Sequence, residues 1–225
     1  MNKFALIPSR TEKDINSELV HFFEEAGFVV DCLIEGSSIY EKYDSAIQKH
    51  KVLANDIVVM CHDDIEILTK PSAFSELLEA SLSIKDVGFV GLAGTKLLKQ
   101  SAVWWDGIGK EDHFAGMVAH GTSVSGMNIT QYGPYGPVVA LDGVFLAAKG
   151  KTLNSIQLKK PKTFPANWDF YDIFYTFQTY RKKLMNFTVP IQIRHESPGN
   201  PRDDWNENRN AFVDMFIREL PATFR

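Results

Sequence analysis

Val58-Val59-Met60-Cys61-His62-Asp63-Asp64-Ile65 is the stretch on which the fold of this chain turns. An apolar, strand-like run stops at an imidazole and two adjacent carboxylates. In an open α/β sheet, ligands bind outside the carboxyl ends of the strands. A buried strand that delivers acidic groups there suits a divalent cation shared with a nucleotide diphosphate, because hard cations take carboxylate oxygens. A strand end capped by surface carboxylates is the plainer reading of the same residues.

The flanking segments supply a sheet for that strand. Phe4 to Pro8 reads as a first strand, Phe28 to Ile34 as a second and Asp56 to Cys61 as a third. Ile15, Leu19, Phe22, Phe23 and Ala26 recur at helical spacing, so a helix capped by Asp14 is expected between the first two. Ser37 or Ser38 opens a second helix carrying Ile39, Tyr43, Ala46 and Ile47. Ser72 to Ile84 reads as a third helix and Val87 to Leu92 as a fourth strand. Alternating strands and helices predict a mostly parallel sheet with helices on its faces. Residues 93–136 are glycine-rich with scattered aromatics and read as irregular structure and short strands. Pro137 to Lys149 and Thr188 to Arg194 return to strand composition. Asp169 to Lys183 and Asp204 to Glu219 read as helices.

Bulk properties narrow the function. A chain of 225 residues fits one large domain. The formal charge of −4 argues against a broad grip on nucleic acid. The two cysteines, Cys32 and Cys61, lie in apolar runs and read as buried thiols of a reducing compartment. No run approaches the roughly 20 apolar residues that span a bilayer, and no signal-peptide pattern opens the chain. A soluble cytoplasmic protein is expected, with no transmembrane segment and no nucleic-acid partner.

Three further strings carry chemistry. In Leu141-Asp142-Gly143-Val144 a carboxylate interrupts an apolar run, where burial is costly without partners. It reads as a bulge or as a pocket-wall acceptor for sugar hydroxyls. In Trp168-Asp169-Phe170-Tyr171-Asp172 two carboxylates fall at a helix start, where the dipole favours negative charge. One of them caps the helix, or one acts as a general base. In Ile191 to Gly199 a strand ends in Arg194-His195-Glu196 before a Pro198-Gly199 loop. His195 there is a structural histidine or a metal ligand beside Asp64.

Together these strings resemble the family-2-like glycosyltransferases of the GT-A fold, particularly a small bacterial branch with a His-x-Asp acidic motif. The resemblance runs from Phe4 to about Gly199. It is most specific in Ile39 to Ile67, Val87 to Trp105, Leu141 to Ala147 and Tyr171 to His195. It implies a single GT-A-like domain over residues 1–225, with a nucleotide-binding half to about residue 95 and an acceptor and catalytic half from about 96. It implies Asp64 and His195 as ligands of a divalent metal, Mn2+ or Mg2+. Pro8, Ser9, Arg10, His62, Asp63, Trp104 and Trp105 take the nucleotide and donor. Asp142, Gly143 and Trp168 stand on the acceptor side, and Asp172 is the catalytic base. His62 stands where the family carries the first aspartate of its motif. The implied activity is metal-dependent, inverting transfer of a hexosyl group from a nucleotide-sugar, UDP-sugar foremost, to a glycan or other hydroxyl acceptor. Two competing readings are a silent nucleotide- or glycan-binding protein of the same fold and a metal-dependent hydrolase using His62, Asp63, Asp64 and His195.

Overall fold

β1 (Lys3–Pro8), β2 (Val29–Leu33) and β3 (Ile57–Cys61) are bridged by α1 (Ser17–Glu25) and α2 (Ile39–Lys49). The computed structural model describes residues 1–109, 112–197 and 203–224. β2 pairs with one edge of β1 and β3 with the other, both in parallel. Right-handed crossovers that leave in opposite directions put their helices on opposite faces. β1 is therefore the switch point of the sheet, and the crevice beyond its carboxyl end is where such a sheet takes a ligand.

α1 begins later than the sequence predicts. The Asp14 carboxylate accepts from the backbone N–H and the hydroxyl of Thr11, at 3.0 and 2.8 Å, and closes a separate short turn. Asn16 is the cap instead. Its side-chain oxygen accepts from Leu19 N–H at 3.1 Å, while its amide nitrogen donates to the carbonyls of Asp63 and Ile65. The cap thus ties α1 to the acidic motif.

β4 (Ile65–Ile67), α3 (Pro71–Leu82) and β5 (Val87–Gly91) follow. Residues 93–136 contain β6 (Ala93–Thr95), β7 (Leu97–Leu98), β8 (Phe114–His120) and β9 (Asn128–Gly133). The run from Pro137 to Lys149 is three strands, β10 (Pro137–Val138), β11 (Ala140–Leu141) and β12 (Phe145–Lys149). The chain ends with α4 (Gly150–Leu153), α5 (Tyr171–Arg181), β13 (Met185–Thr188), β14 (Ile193–His195), α6 (Asp203–Phe216) and β15 (Ala222–Thr223). The single strand expected from Thr188 to Arg194 is in fact broken, and β13 and β14 belong to different sheets. Pro190, in the gap, has no N–H to give to a ladder.

The central sheet has seven strands in the order β10-β13-β5-β12-β3-β1-β2. β1, β2, β3, β5 and β13 run one way, and β10 and β12 run against them. The sheet is thus mixed but mostly parallel, as predicted. A second sheet, β11-β6-β8-β14-β4 with β9 on β8, stands over its carboxyl edge. Gly116 lets β8 pass close to the central chain. Its φ is +97°, and a Cβ there would lie 1.8 Å from the Leu92 carbonyl oxygen. Aromatic packing closes both faces, with Phe23 of α1 against Phe74 of α3, and Tyr40 of α2 against Tyr175 of α5. No helix among the described residues is long and apolar enough to cross a membrane.

Candidate metal and catalytic site

Two antiparallel pairings bring the distant polar strings to the end of β3. β12 pairs with β3 so that Phe145 faces Cys61, and His62 N–H donates to the Val144 carbonyl at 3.1 Å. Because β12 runs backwards, the residues before it, Asp142 to Val144, lie at the same carboxyl edge as His62. β14 pairs with β4 so that His195 faces Ile65, and Glu196 N–H donates to the Asp64 carbonyl at 3.0 Å. That register sets His195 beside Asp64.

The result is a three-residue cluster. His195 Nε2 is 3.2 Å from Asp64 Oδ1, and His62 Nδ1 is 3.7 Å from the same oxygen. The two imidazoles approach to 3.4 Å between His62 Nδ1 and His195 Nε2. One ligand atom from each of the three residues falls within 4.8 Å of the others. Two ring nitrogens aimed at each other and at a carboxylate oxygen make a donor set that fits a divalent cation. Burial pushes the Asp64 carboxyl up, but the hydrogen bond and charge of His195 outweigh it and hold Asp64 below the usual carboxylate range. Burial, aided by His195, pushes His62 down toward the neutral imidazole that a metal requires. His120 packs beside His195, with the rings tilted and their centroids 5.7 Å apart. It faces His195 across the β8–β14 ladder, and sequence spacing gave no sign of it.

Asp63 points toward the switch point. Its carboxyl is pushed up by burial and by Asp64, against the pull of His62 and the Ser9 hydroxyl. Lys42, buried on α2, donates to the carbonyls of Ser9 and Ile34 at 2.9 Å and also to that of Leu33. It fastens the loop after β1 to the end of β2. The Trp168 ring lies 5.4 Å from this ammonium, and the residue is 42% exposed. The structure therefore gathers Pro8, Ser9, Asp63 and Trp168 at one end of the crevice. Trp168 stands with the residues expected to take the nucleotide. Arg10, Asp63 and Asp64 line a cleft of about 730 Å³, closed by α1, Glu66, Arg194 and Glu196. Arg194 is already held by Glu66 at 2.8 Å and Glu196 at 3.2 Å, so among the described residues lining the cleft Arg10 is the cation with an exposed side chain. Pro198 and Gly199, expected in the loop after His195, lie outside the described residues.

Asp142 and Asp172 stand on the other side of His62. The Gly143 N–H donates to Asp172 Oδ2 at 2.9 Å, and the Val144 N–H to Asp142 Oδ1 at 2.9 Å. Gly143 is required for this approach, because a Cβ would lie 2.7 Å from the Tyr171 hydroxyl and 3.0 Å from Asp172 Cβ. Burial, reinforced by the charge of Asp142, pushes the Asp172 carboxyl up to about 7. The same Asp142 charge reaches His62, so the carboxylate pair and the histidine cluster share one field. Burial and Asp142 also push the Tyr132 phenol up to about 12. Tyr132 packs on Trp104 at 5.4 Å, Trp104 meets Trp105 at 5.8 Å, and Trp105 meets Trp205 at 4.9 Å. The aromatic middle segment thereby reaches the site through Tyr132, a residue the sequence reading missed. Asp169 precedes α5, whereas Asp172 lies in its first turn.

The model of a family described as "Glycosyltransferase like family" matches residues 20–216. No curated protein matches the sequence. Among solved structures, A197 from STIV is 12% identical, with 90% of this chain and 97% of that one covered and a TM-score of 0.49. GalNAc-T7 with UDP, GalNAc and Mn2+ is 9% identical, with a TM-score of 0.56. The match covers 96% of this chain but 48% of GalNAc-T7, so the chain spans about half the length of that protein. The likeness is one of fold, and the fold is GT-A.

Proposed function

The chain belongs to this glycosyltransferase-like family, and on that premise we propose that it moves a sugar from a nucleoside-diphosphate donor to an acceptor hydroxyl, with a divalent metal and inversion at the anomeric carbon. The observation that carries the proposal is the juxtaposition of two unlike acidic centres around His62. One is a carboxylate held ionised among imidazoles, and the other is a carboxyl raised to about 7. Paired groups with separated proton affinities mark a division of labour between charge stabilisation and proton transfer.

His62, Asp64 and His195 would hold the metal. Bound there, it supplies Lewis-acid stabilisation to the departing diphosphate. Imidazole nitrogens are softer donors than carboxylate oxygens, so this set favours Mn2+ over Mg2+. Ser9, Arg10 and Asp63 take the nucleotide, and the UDP bound by GalNAc-T7 makes uridine the first base to test. Asp172 accepts the proton of the acceptor hydroxyl while that oxygen bonds to the anomeric carbon and the bond to the diphosphate breaks. A carboxylate with a proton affinity near neutral pH is well matched to this role. Tyr132, Trp104 and Trp105 shield the reacting carbon from water on the Asp142 side. That exclusion favours transfer over hydrolysis.

Thermal denaturation with UDP, GDP or CDP, with and without Mn2+, tests the binding half. Release of nucleoside diphosphate from the matching nucleotide-sugars tests the chemistry. Metal-dependent stabilisation by one diphosphate together with its release from a sugar donor is the expected pair of results. Stabilisation without release would favour the silent binder, and phosphate ester cleavage without a sugar donor would favour the hydrolase.

A further inference from the structure

Asn186 on β13 is fully buried and uses its whole side-chain amide. Its oxygen accepts from Phe89 N–H at 3.0 Å and from the Thr179 hydroxyl at 2.7 Å. Its nitrogen donates to the Val139 carbonyl at 3.0 Å and the Thr176 carbonyl at 2.8 Å. One side chain therefore joins β5, the chain between β10 and β11, and two turns of α5. Gly88 leaves the room for it, since a Cβ there would stand 2.7 Å from the Asn186 oxygen.

Thr176 carries the linkage onward. Its hydroxyl donates to the Asp172 carbonyl at 2.7 Å and accepts from Leu141 N–H at 3.3 Å. Leu141 directly precedes Asp142 and Gly143, and Gly143 N–H returns to the Asp172 carboxylate. The loop closes on itself, so β11 and the first turn of α5 cannot slide past each other without breaking bonds at both ends. A threonine hydroxyl bonded to the carbonyl four residues back usually weakens a helix slightly. Here the same oxygen also satisfies a buried amide of the neighbouring strand.

We propose that Asn186 and Thr176 are positioning residues that hold the Asp172 carboxylate on the Gly143 amide. Its value to turnover rests on the reading of Asp172 as proton acceptor, but the placement itself does not. The test therefore reads the placement directly. The chain is labelled with 15N-glycine and 13C-carbonyl aspartate, which selects only Asp106-Gly107 and Asp142-Gly143 among its 15 glycines. Asp172→Asn identifies the Gly143 signal as the one that loses its titration step near pH 7.

In the unaltered chain the Gly143 amide titrates with a midpoint near the value of about 7 assigned to Asp172. An N–H bonded to a carboxylate favours the charged form. Thr176→Val, which keeps the shape and removes the hydroxyl, is expected to move that midpoint up by about half a pH unit or more and to shrink its amplitude. Thr176→Ser restores both. Where Thr176→Val does not fold, Thr179→Val, which removes one bond to Asn186, carries the same expectation. An unchanged Gly143 titration in either folded valine variant overturns the proposal. With a nucleotide-sugar that the unaltered chain turns over, Thr176→Val lowers kcat about tenfold or more while KM for the donor stays put. A chain that turns over no such donor would sink the functional reading and leave the amide titration to judge the placement.

Discussion

Replacing Asp172 by asparagine should stabilise the protein while it slows transfer sharply, and the stabilisation should depend on pH. An unperturbed aspartate ionises near 3.9, whereas burial and Asp142 lift Asp172 to about 7. The folded state therefore binds this proton more tightly than the unfolded state does. Stability contributed by the neutral carboxyl is fully present at low pH. It is lost as pH rises from about 4 to about 7. Each unit is worth 1.36 kcal/mol, so the full cost above pH 7 is about 4 kcal/mol. Asparagine is neutral throughout and can still accept from the Gly143 N–H. The gain of Asp172→Asn over the unaltered chain should be about 1 kcal/mol at pH 4.5 and about 4 kcal/mol at pH 8. Urea unfolding of both proteins at the two pH values measures this difference. A gain that is the same at both, or no gain at pH 8, would refute the assigned environment of Asp172. Turnover in the same variant should fall by about 10²–10⁴, with nucleotide binding kept. In the unaltered enzyme the acidic limb of kcat/KM should lie near pH 7.

Other perturbations bear on the rest of the site. Asp64→Ala and His195→Ala should each erase the Mn2+-dependent part of the thermal shift with nucleoside diphosphate. For a ligand at 100 times its Kd that part is about 2.7 kcal/mol, or roughly 5–10 °C in a chain of this size. Retention of the shift in both variants would remove them as ligands. His62→Asp exchanges a nitrogen donor for oxygen and should narrow the preference for Mn2+ over Mg2+, read by competition calorimetry; an unchanged ratio would take His62 out of the donor set. Gly143→Ala drives a methyl into Tyr171 and Asp172. It should cost about 1–3 kcal/mol and lower kcat far more than it changes donor KM, which steady-state kinetics on the folded variant would show.

The first half of the sheet was legible because its strands are continuous apolar runs and its helices keep the 3.6-residue spacing. β1, β2, β3, β5, α2 and α3 lie within a few residues of their expected places. The start of α1 was misplaced because Asp14 and Asn16 are both good caps locally. Only Asn16 gains the extra bonds to Asp63 and Ile65 from a distant loop. The strand-like composition of residues 137–149 does not show its division into three strands, nor does that of 188–194 show its break, because composition does not mark where a chain changes partner. The polar ends of β3 and β14 showed in the sequence as interruptions of apolar runs. His120, Tyr132, Lys42 and Trp205 did not, since each owes its place to a ladder register or a ring contact between segments far apart in order. The place of Trp168 over Lys42 is of the same kind.

The reversed strand β12 sits between β3 and β5, so the middle of the central sheet closes only when a segment some 84 positions downstream of Cys61 has arrived. Until then a nascent chain carries two bare ladders of apolar backbone, and open edges of that kind recruit other chains. Truncation near residue 95 should therefore yield an aggregating fragment rather than a small nucleotide-binding module. Pairings of such long separation also form slowly, which makes the acidic motif among the last parts of the molecule to reach its working geometry during synthesis.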